Sequence, residues 1–251
     1  MQRDRVVRFL DELLAVGSIP DFGPQGLLVE GKSEVTKVAV GVTPSIALFE
    51  KAIEERSDLV ICHHGMFLDW ESRVIRGPLK RRLELLFDHG ITLLSYHLVL
   101  DAHEEHGNNA LIARELALRD VEPFGEYRGT RIGRKGRLDP PLSHDELGRR
   151  LRETFGGDPL VFGFGPDPVR SIGVISGGAV SDFQQAIDEG LDAYLTGEVK
   201  EHVQEMAREA GVTYVAAGHY RTETFGVRSL GERLEREFGL PWVFVDVPNP
   251  V

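Results

Sequence analysis

The sequence predicts an α/β protein of two similar halves, each running strand-helix-strand-helix-strand around a largely parallel sheet. Two observations carry this. Short apolar runs alternate with amphipathic stretches along most of the 251 residues, the pattern of βαβ units. The second half also repeats the first: VAVGVTPSIALFEKAIEERSDLVICHH (38–64) matches IGVISGGAVSDFQQAIDEGLDAYLTGE (172–198) without a gap. Phe49 falls on Phe183, Ala52 on Ala186, Ile53 on Ile187, Glu55 on Glu189 and Asp58 on Asp192. A repeat of this length means two related supersecondary units. A hydrophobic content of 41% is enough for each to bury a core.

Taken in order, Val6, Val7, Phe9, Leu10, Leu13 and Leu14 have the spacing of one helix face, and the stretch 17–26 with its two prolines ends that helix. KVAVGV (37–42) reads as a strand, PSIALFEKAIEER (44–56) as a helix with Pro44 near its first turn, and DLVIC (58–62) as a strand. GPLKRRLELLFDHG (77–90) is a helix closed by glycine, and ITLLSYH (91–97) a strand. Between the halves lies 128–170, rich in glycine and proline, with one candidate helix from Ser143, whose Ser-x-x-Glu start is a capping box. HGITLLSYHLVLD (89–101) returns as AGVTYVAAGHYRTE (210–223), and one residue of slip sets His97 and Asp101 on His219 and Glu223. The expected halves are 1–125, with HHG and HLVLD, and 126–251, with TGEVKEH and GHYRTE. The C-terminal helix and strand (222–247) could pack back on the first half.

Charge narrows the function. Forty acidic against 29 basic residues give a net charge of −11, which repels a phosphate backbone, so non-specific nucleic-acid binding is not expected. The basic run Lys80, Arg81, Arg82 is read as a solvated helix face. A lone Cys62 forbids an internal disulfide and a Cys-rich zinc site, and suits a reducing compartment. With no signal-peptide core and no 18-residue apolar run, the expectation is a soluble cytoplasmic protein without membrane contact.

The chemistry gathers at strand ends, where parallel α/β sheets place ligands. His63, His64, His97 and His219 all fall there. Adjacent strand residues face opposite ways, so His63 and His64 serve one ligand only if the chain turns, as Gly65 permits, or else serve two neighbouring ions. Imidazole with carboxylate suits zinc, manganese, iron, cobalt or nickel. A carboxylate can bridge two cations and an imidazole cannot, so a dinuclear site needs Asp or Glu among its histidines; such ions sit about 3.5–4 Å apart. SGGA (176–179) reads as a tight turn rather than a phosphate cradle, and GNN (107–109) as a helix cap. Cys62 is expected to be buried; His89, His103, His106, His144 and His202 are expected in solvent, His103 and His106 with the option of lining a cleft. No Gly-x-Ser-x-Gly elbow supports a serine triad.

HHGMFLDW (63–70), YHLVLD (96–101), GNNALIARELAL (107–118), TGEVKEH (196–202) and AGHYRTE (217–223) together resemble the signature stretches of the Nif-three-like family (NGG-one-interacting factor three), also labelled GTP cyclohydrolase type 2 homologues. The likeness runs from about residue 20 to the end. It implies two similar α/β domains, a dinuclear metal site in the cleft between them and a toroidal homohexamer. Carried over by motif, the implied metal ligands are His63, His64, Asp101, His219 and Glu223, with Glu223 a bridge. His97 is held as a group that supports the ligands from behind and could move protons. Leu98 stands where the family has threonine, and Trp70 is spaced differently after the histidine pair; both bear on the substrate pocket.

Two functions follow from different classes. One is a metal-dependent hydrolase with two divalent ions per chain, acting on a small molecule such as a purine nucleotide or a phosphoester. The other is a non-catalytic metal-binding or scaffold protein in a regulatory complex. Released formate or phosphate would separate ring opening from phosphoester hydrolysis, and the absence of either would favour the scaffold.

Overall fold

Apolar runs become strands, and amphipathic stretches become helices. The computed structural model describes all residues, 1–251. In chain order it forms α1 (Arg3–Leu13), β1 (Gly26–Val29), β2 (Val38–Gly41), α2 (Ile46–Glu54), β3 (Leu59–Cys62), α3 (Gly77–His89) and β4 (Thr92–Ser95). A short α4 (Leu98–Asp101), α5 (Asn108–Glu115), β5 (Arg119–Tyr127), β6 (Thr130–Leu142), α6 (His144–Phe155) and β7 (Leu160–Phe162) follow. Then come β8 (Val169–Val174), a 3-10 turn (Val180–Asp182) leading into α7 (Phe183–Asp188), β9 (Ala193–Thr196), α8 (Val203–Ala210) and β10 (Thr213–Ala216). The chain closes through α9 (His219–Thr222), α10 (Thr224–Phe238) and β11 (Trp242–Phe244).

The chain divides into two compact units, residues 1–100 with 226–248, and residues 101–225 with 249–251. A division at 125/126 is corrected by this: it would cut β5, which pairs antiparallel with β6 from Arg119↔Arg137 to Tyr127↔Thr130. A ladder of backbone hydrogen bonds holds that stretch together, with register shifts between Arg119 and Glu122 and between Arg137 and Leu142.

In the first unit the sheet order is β1-β4-β3-β2-β11. β2, β3, β4 and β11 pair in parallel, and β1 joins β4 antiparallel. VAVG, LVIC and TLLS are buried at every position, as strands covered on both faces must be. Leu48, Phe49 and Ala52 of α2 and Leu83, Leu85 and Leu86 of α3 pack into the core beside them. Each large buried side chain contributes about 1.5–3 kcal/mol relative to exposure. Ser45 starts α2 by accepting from the Leu48 amide at 3.2 Å, and Gly90, at φ 63°, ends α3 in the left-handed conformation.

In the second unit the order is β5-β6-β8-β9-β10-β7. Only β8, β9 and β10 are mutually parallel; β5, β6 and β7 pair antiparallel. Both sheets are therefore mixed: the first is antiparallel only at its β1 edge, the second at both margins. Ile172, Val174, Leu195 and Val215 face the α5 and α6 residues Ile112, Leu147 and Leu151 in one core. Across the sheet, Phe183, Tyr194 and Tyr214 stack within ring-centroid distances of 4.9–5.7 Å. The Ser143 capping box forms as the sequence suggests: the Ser143 hydroxyl accepts from the Glu146 amide, and the Glu146 carboxylate accepts from the Ser143 amide at 2.9 Å.

Candidate metal centre

In the first unit three histidines follow two neighbouring strand ends. β3 stops at Cys62, and the amides of His63 and His64 both donate to the Val42 carbonyl, at 3.1 and 2.9 Å. That shared acceptor turns the chain out of the extended state, so adjacent side chains converge rather than face opposite ways. Their ring centroids lie 5.2 Å apart. The turn does not use a left-handed Gly65: a Cβ there would meet nothing closer than 3.4 Å. His97, two residues past β4, brings its ring to 5.0 Å from His63 and 5.9 Å from His64. One ligand nitrogen from each of the three fits within a mutual 4.8 Å.

Each ring is held at Nδ1. The His63 Nδ1 donates to the Tyr96 carbonyl at 3.0 Å; a carbonyl can only accept, so neutral His63 carries its lone pair on Nε2. His64 Nδ1 pairs with the Thr43 hydroxyl at 3.3 Å. His97 Nδ1 donates to Asp21 at 2.8 Å. Burial alone would push the Asp21 carboxyl up, but the His97 ring and the Phe22 and Leu98 amides outweigh it and hold the group below its ordinary range. Cys62 lies fully buried, and burial pushes its thiol far above the usual range, so it is inert packing.

In the second unit the donors are anionic. Asp101 is buried; its Oδ1 accepts from Asn108 Nδ2 at 2.8 Å and from the Ser176 hydroxyl at 3.0 Å. Asn109 ties the same corner by donating to the Asp101 and Ile132 carbonyls and accepting from the Ser176 amide. GNN does start α5, with Gly107 in the cap position and no side-chain cap bond, and both asparagines are buried around Asp101. His219 donates from Nδ1 to Glu198 at 2.6 Å, and its Nε2 lies 3.0 Å from Glu223 Oε1. Burial would lower the His219 pKa, but the Glu223 and Glu198 carboxylates overcome that and push it up to about 9. A proton on His219 is what these two anions attract when no other cation is present.

Two glycines make this corner possible. Gly177, at φ 69°, lies so close to Glu223 that a Cβ would overlap Oε1 and stand 3.3 Å from His219 Nε2. A Cβ on Gly197 would come within 2.5 Å of the His219 Cα and 2.7 Å of the Gly177 carbonyl oxygen. SGGA therefore makes room for a carboxylate and does not cradle a phosphate.

The residues that sequence reasoning missed are the ones that hold the ligand candidates: Asp21, Glu198, Asn108 and Ser176. His106 also departs from expectation; it is 2% exposed rather than solvated. The donor set fits a divalent metal. All four histidines have Nδ1 on an oxygen of the protein, the outer bond that metal-ligating imidazoles make, and Asp101 has its own donors.

No helix of the chain is long and apolar enough to cross a membrane. The family model Duf34/NIF3 (NGG1p interacting factor 3) matches residues 1–250. A Pseudomonas aeruginosa protein named GTP cyclohydrolase 1 type 2 homolog is 40% identical over 245 residues, 98% of this chain and 97% of its own. A Deinococcus radiodurans protein of the same name is 39% identical over 248 residues, 98% and 94% of the two chains. Among solved structures, protein ybgI, described as of unknown function, superposes with a TM-score of 0.95 at 39% identity over 100% of both chains. Reduced HcgD from Methanocaldococcus jannaschii does so at 0.86 and 26% over 98% of each. Matched over nearly its whole length by the family model and by relatives close to 40% identical, the chain belongs to the Duf34/NIF3 family.

Proposed function

We propose that the protein is a metal-dependent hydrolase that holds two divalent ions on His63, His64, Asp101, His219 and Glu223. The observation that carries this reading is the orientation of the donors: His63 and His219 are fixed at Nδ1 by a carbonyl and a carboxylate, and Asp101 by an amide and a hydroxyl. Side chains kept only for packing need no such aim. Bound there, two divalent ions supply Lewis-acid polarisation of the substrate and a hydrolytic nucleophile at neutral pH. Glu223, a carboxylate with two oxygens, would hold the ions together with the histidines, and Glu198, which accepts from His219 Nδ1 at 2.6 Å, would keep that ring turned. Zinc, manganese, iron, cobalt and nickel all suit this mixture of nitrogen and oxygen ligands.

A purine nucleotide is the favoured substrate class, from the name that the relatives carry, with a phosphoester as the competitor. Two further features accompany the reading. An internal repeat relating the units is supported by the ungapped match that sets β3 on β9 and α2 on the 3-10 turn and α7. A cytoplasmic toroidal homohexamer is proposed from the family resemblance, and light scattering tests it.

The experiment is metal content per chain by mass spectrometry, with wild type and Glu223→Ala purified without a metal-affinity tag. The expected result is about two ions in the wild type, as in two-metal hydrolytic sites, falling to one or none in the variant. Retention of both ions in Glu223→Ala or in Asp101→Ala would overturn the ligand assignment. His144→Ala, whose ring is engaged by the Thr213 hydroxyl at 3.2 Å, should keep its metal. Nucleotides and phosphoesters are then screened for formate and phosphate; metal bound without turnover of any of them would reassign the site to metal handling or scaffolding.

A further inference from the structure

We propose that a cavity beside the start of α3 binds a small organic oxyanion, a phosphate monoester or a carboxylate, through Arg82 and Arg76. The site lies within the first unit and does not depend on the metal reading.

The first ground is an unanswered charge. The basic run on α3 divides in the fold. Lys80 pairs with Glu84 at 3.3 Å and Arg81 with Glu50 at 3.9 Å, both on the solvated face that the sequence suggests. Arg82 departs from that face: it is half-buried, and its Nε is closed off from solvent without a hydrogen-bond partner. Drawing a guanidinium out of water is costly unless an acceptor or an anion answers it. No carboxylate of the chain pairs with Arg82.

The second ground is the space beside it. Arg82 lines a cavity of about 450 Å³, of the size that small-molecule sites occupy. Arg76 lines it too and makes no ion pair. Glu71 is the one carboxylate on the wall, and its Oε2 is engaged by the Leu68 amide at 3.3 Å. Ser72 Oγ accepts from the Val74 amide at 3.2 Å, which leaves its O–H to donate into the cavity. Two guanidinium groups against one carboxylate make the wall net positive, in a chain of net charge −11. Pro78 brings no N–H to the start of α3, so side chains rather than the helix end supply the donors.

These walls select the ligand. A metal cation is repelled by both arginines, and a neutral molecule leaves Arg82 unanswered. An oxyanion matches the planar guanidinium fork. Met66, Val74 and Leu79 give the other side of the cavity an apolar surface, which suits a ligand with a compact apolar body behind its charge.

The test is nitrogen NMR of the full-length protein with labelled arginine, titrated with phenyl phosphate and, separately, with benzoate. The reporter is the Nε–H of Arg82, which its burial protects from exchange with water; a signal read there is blind to the same compounds binding at the metal centre. Arg82→Met assigns the resonance, and Arg82→Lys does so if the methionine variant fails to fold. The expected result is a saturable shift with at least one compound, phenyl phosphate alone marking a phosphate site and benzoate alone a carboxylate site. Arg76→Gln, an exposed change, should weaken that binding roughly tenfold or more, the usual effect of losing one charged hydrogen bond. Arg81→Gln, one position from Arg82 but paired with Glu50, should leave it unchanged. No saturable shift with either compound, or equal affinities in Arg76→Gln and Arg81→Gln, would overturn the proposal.

Discussion

The strand end after β3 carries His63 and His64, while the matching end after β9 carries Gly197 and Glu198. The two units use the same address for opposite chemistry. In the first, imidazoles gather and are steadied by the Tyr96 carbonyl, the Thr43 hydroxyl and the Asp21 carboxylate. In the second, Glu198 and Glu223 flank one imidazole, and the buried Asp101 is steadied by donors, Asn108 Nδ2 and the Ser176 hydroxyl. The parallel core decides where functional side chains go, and the partner chemistry decides whether they arrive as lone pairs or as charge. In the second unit's corner the Glu223 and Glu198 carboxylates push the His219 pKa up to about 9, despite the burial that would lower it.

The comparison is most easily broken at Gly177. Alanine there must adopt φ near 69° and also overlap Glu223 Oε1. We expect Gly177→Ala to cost on the order of 1–3 kcal/mol in stability, read by thermal or denaturant unfolding, and to lose metal with it. Gly156, at φ 68° with nothing within 4 Å of where a Cβ would stand, isolates the backbone contribution. Gly156→Ala should cost about 1–2 kcal/mol and leave the metal content unchanged. Equal metal loss in both would mean that the overlap with Glu223 does not matter.

Next in size is Asn108. Replacing it by alanine removes a buried donor from Asp101 Oδ1 and should cost about 1–3 kcal/mol, with a fall in metal affinity that Asn108→Asp, which cannot donate as a carboxylate, does not rescue. Normal metal content in both variants would show that Ser176 alone is enough to hold Asp101.

How much of this was legible follows from where each residue sits in the chain. The paired histidines, His97 and the GHYRTE stretch stand at strand ends that the apolar runs mark out, so local pattern finds them. Asp21 and Glu198 act on histidines 76 and 21 residues away, and no periodicity connects such partners. Asn108 and Asn109 occupy the position of a helix start, where capping is the commoner use; only the fold shows them turned toward Asp101. The β5–β6 ribbon was hidden because Gly133, Gly136, Pro140 and Pro141 interrupt the alternation by which a strand is recognised, yet Ile132, Arg134 and Leu138 still bury alternate positions along it.

The smallest effect lies in a feature that the two units share. Asp58 precedes β3 and accepts from the Thr36 amide at 2.9 Å and the Thr36 hydroxyl at 2.6 Å, just ahead of β2. Asp192 precedes β9 and accepts from the Arg170 and Ser171 amides at 2.8 and 3.0 Å, early in β8. Each carboxylate fastens the beginning of one strand to that of its neighbour, and removing either should cost about 1 kcal/mol. At Asp58 the bond also carries a pH dependence. Burial would raise its pKa, but the Thr36 bonds and the Lys32 charge outweigh that and hold it below the ordinary 3.8. A folded-state pKa below the unfolded one means that this stabilisation is complete above about pH 4 and is lost as pH falls through the lower value. Asp58→Asn should therefore flatten the acid limb of the stability curve, measured as the denaturant midpoint between neutral pH and about pH 3. An unchanged acid limb would show that this bond tethers the strand in the folded state without discriminating between the two protonation states, and that the likeness between Asp58 and Asp192 is one of geometry alone.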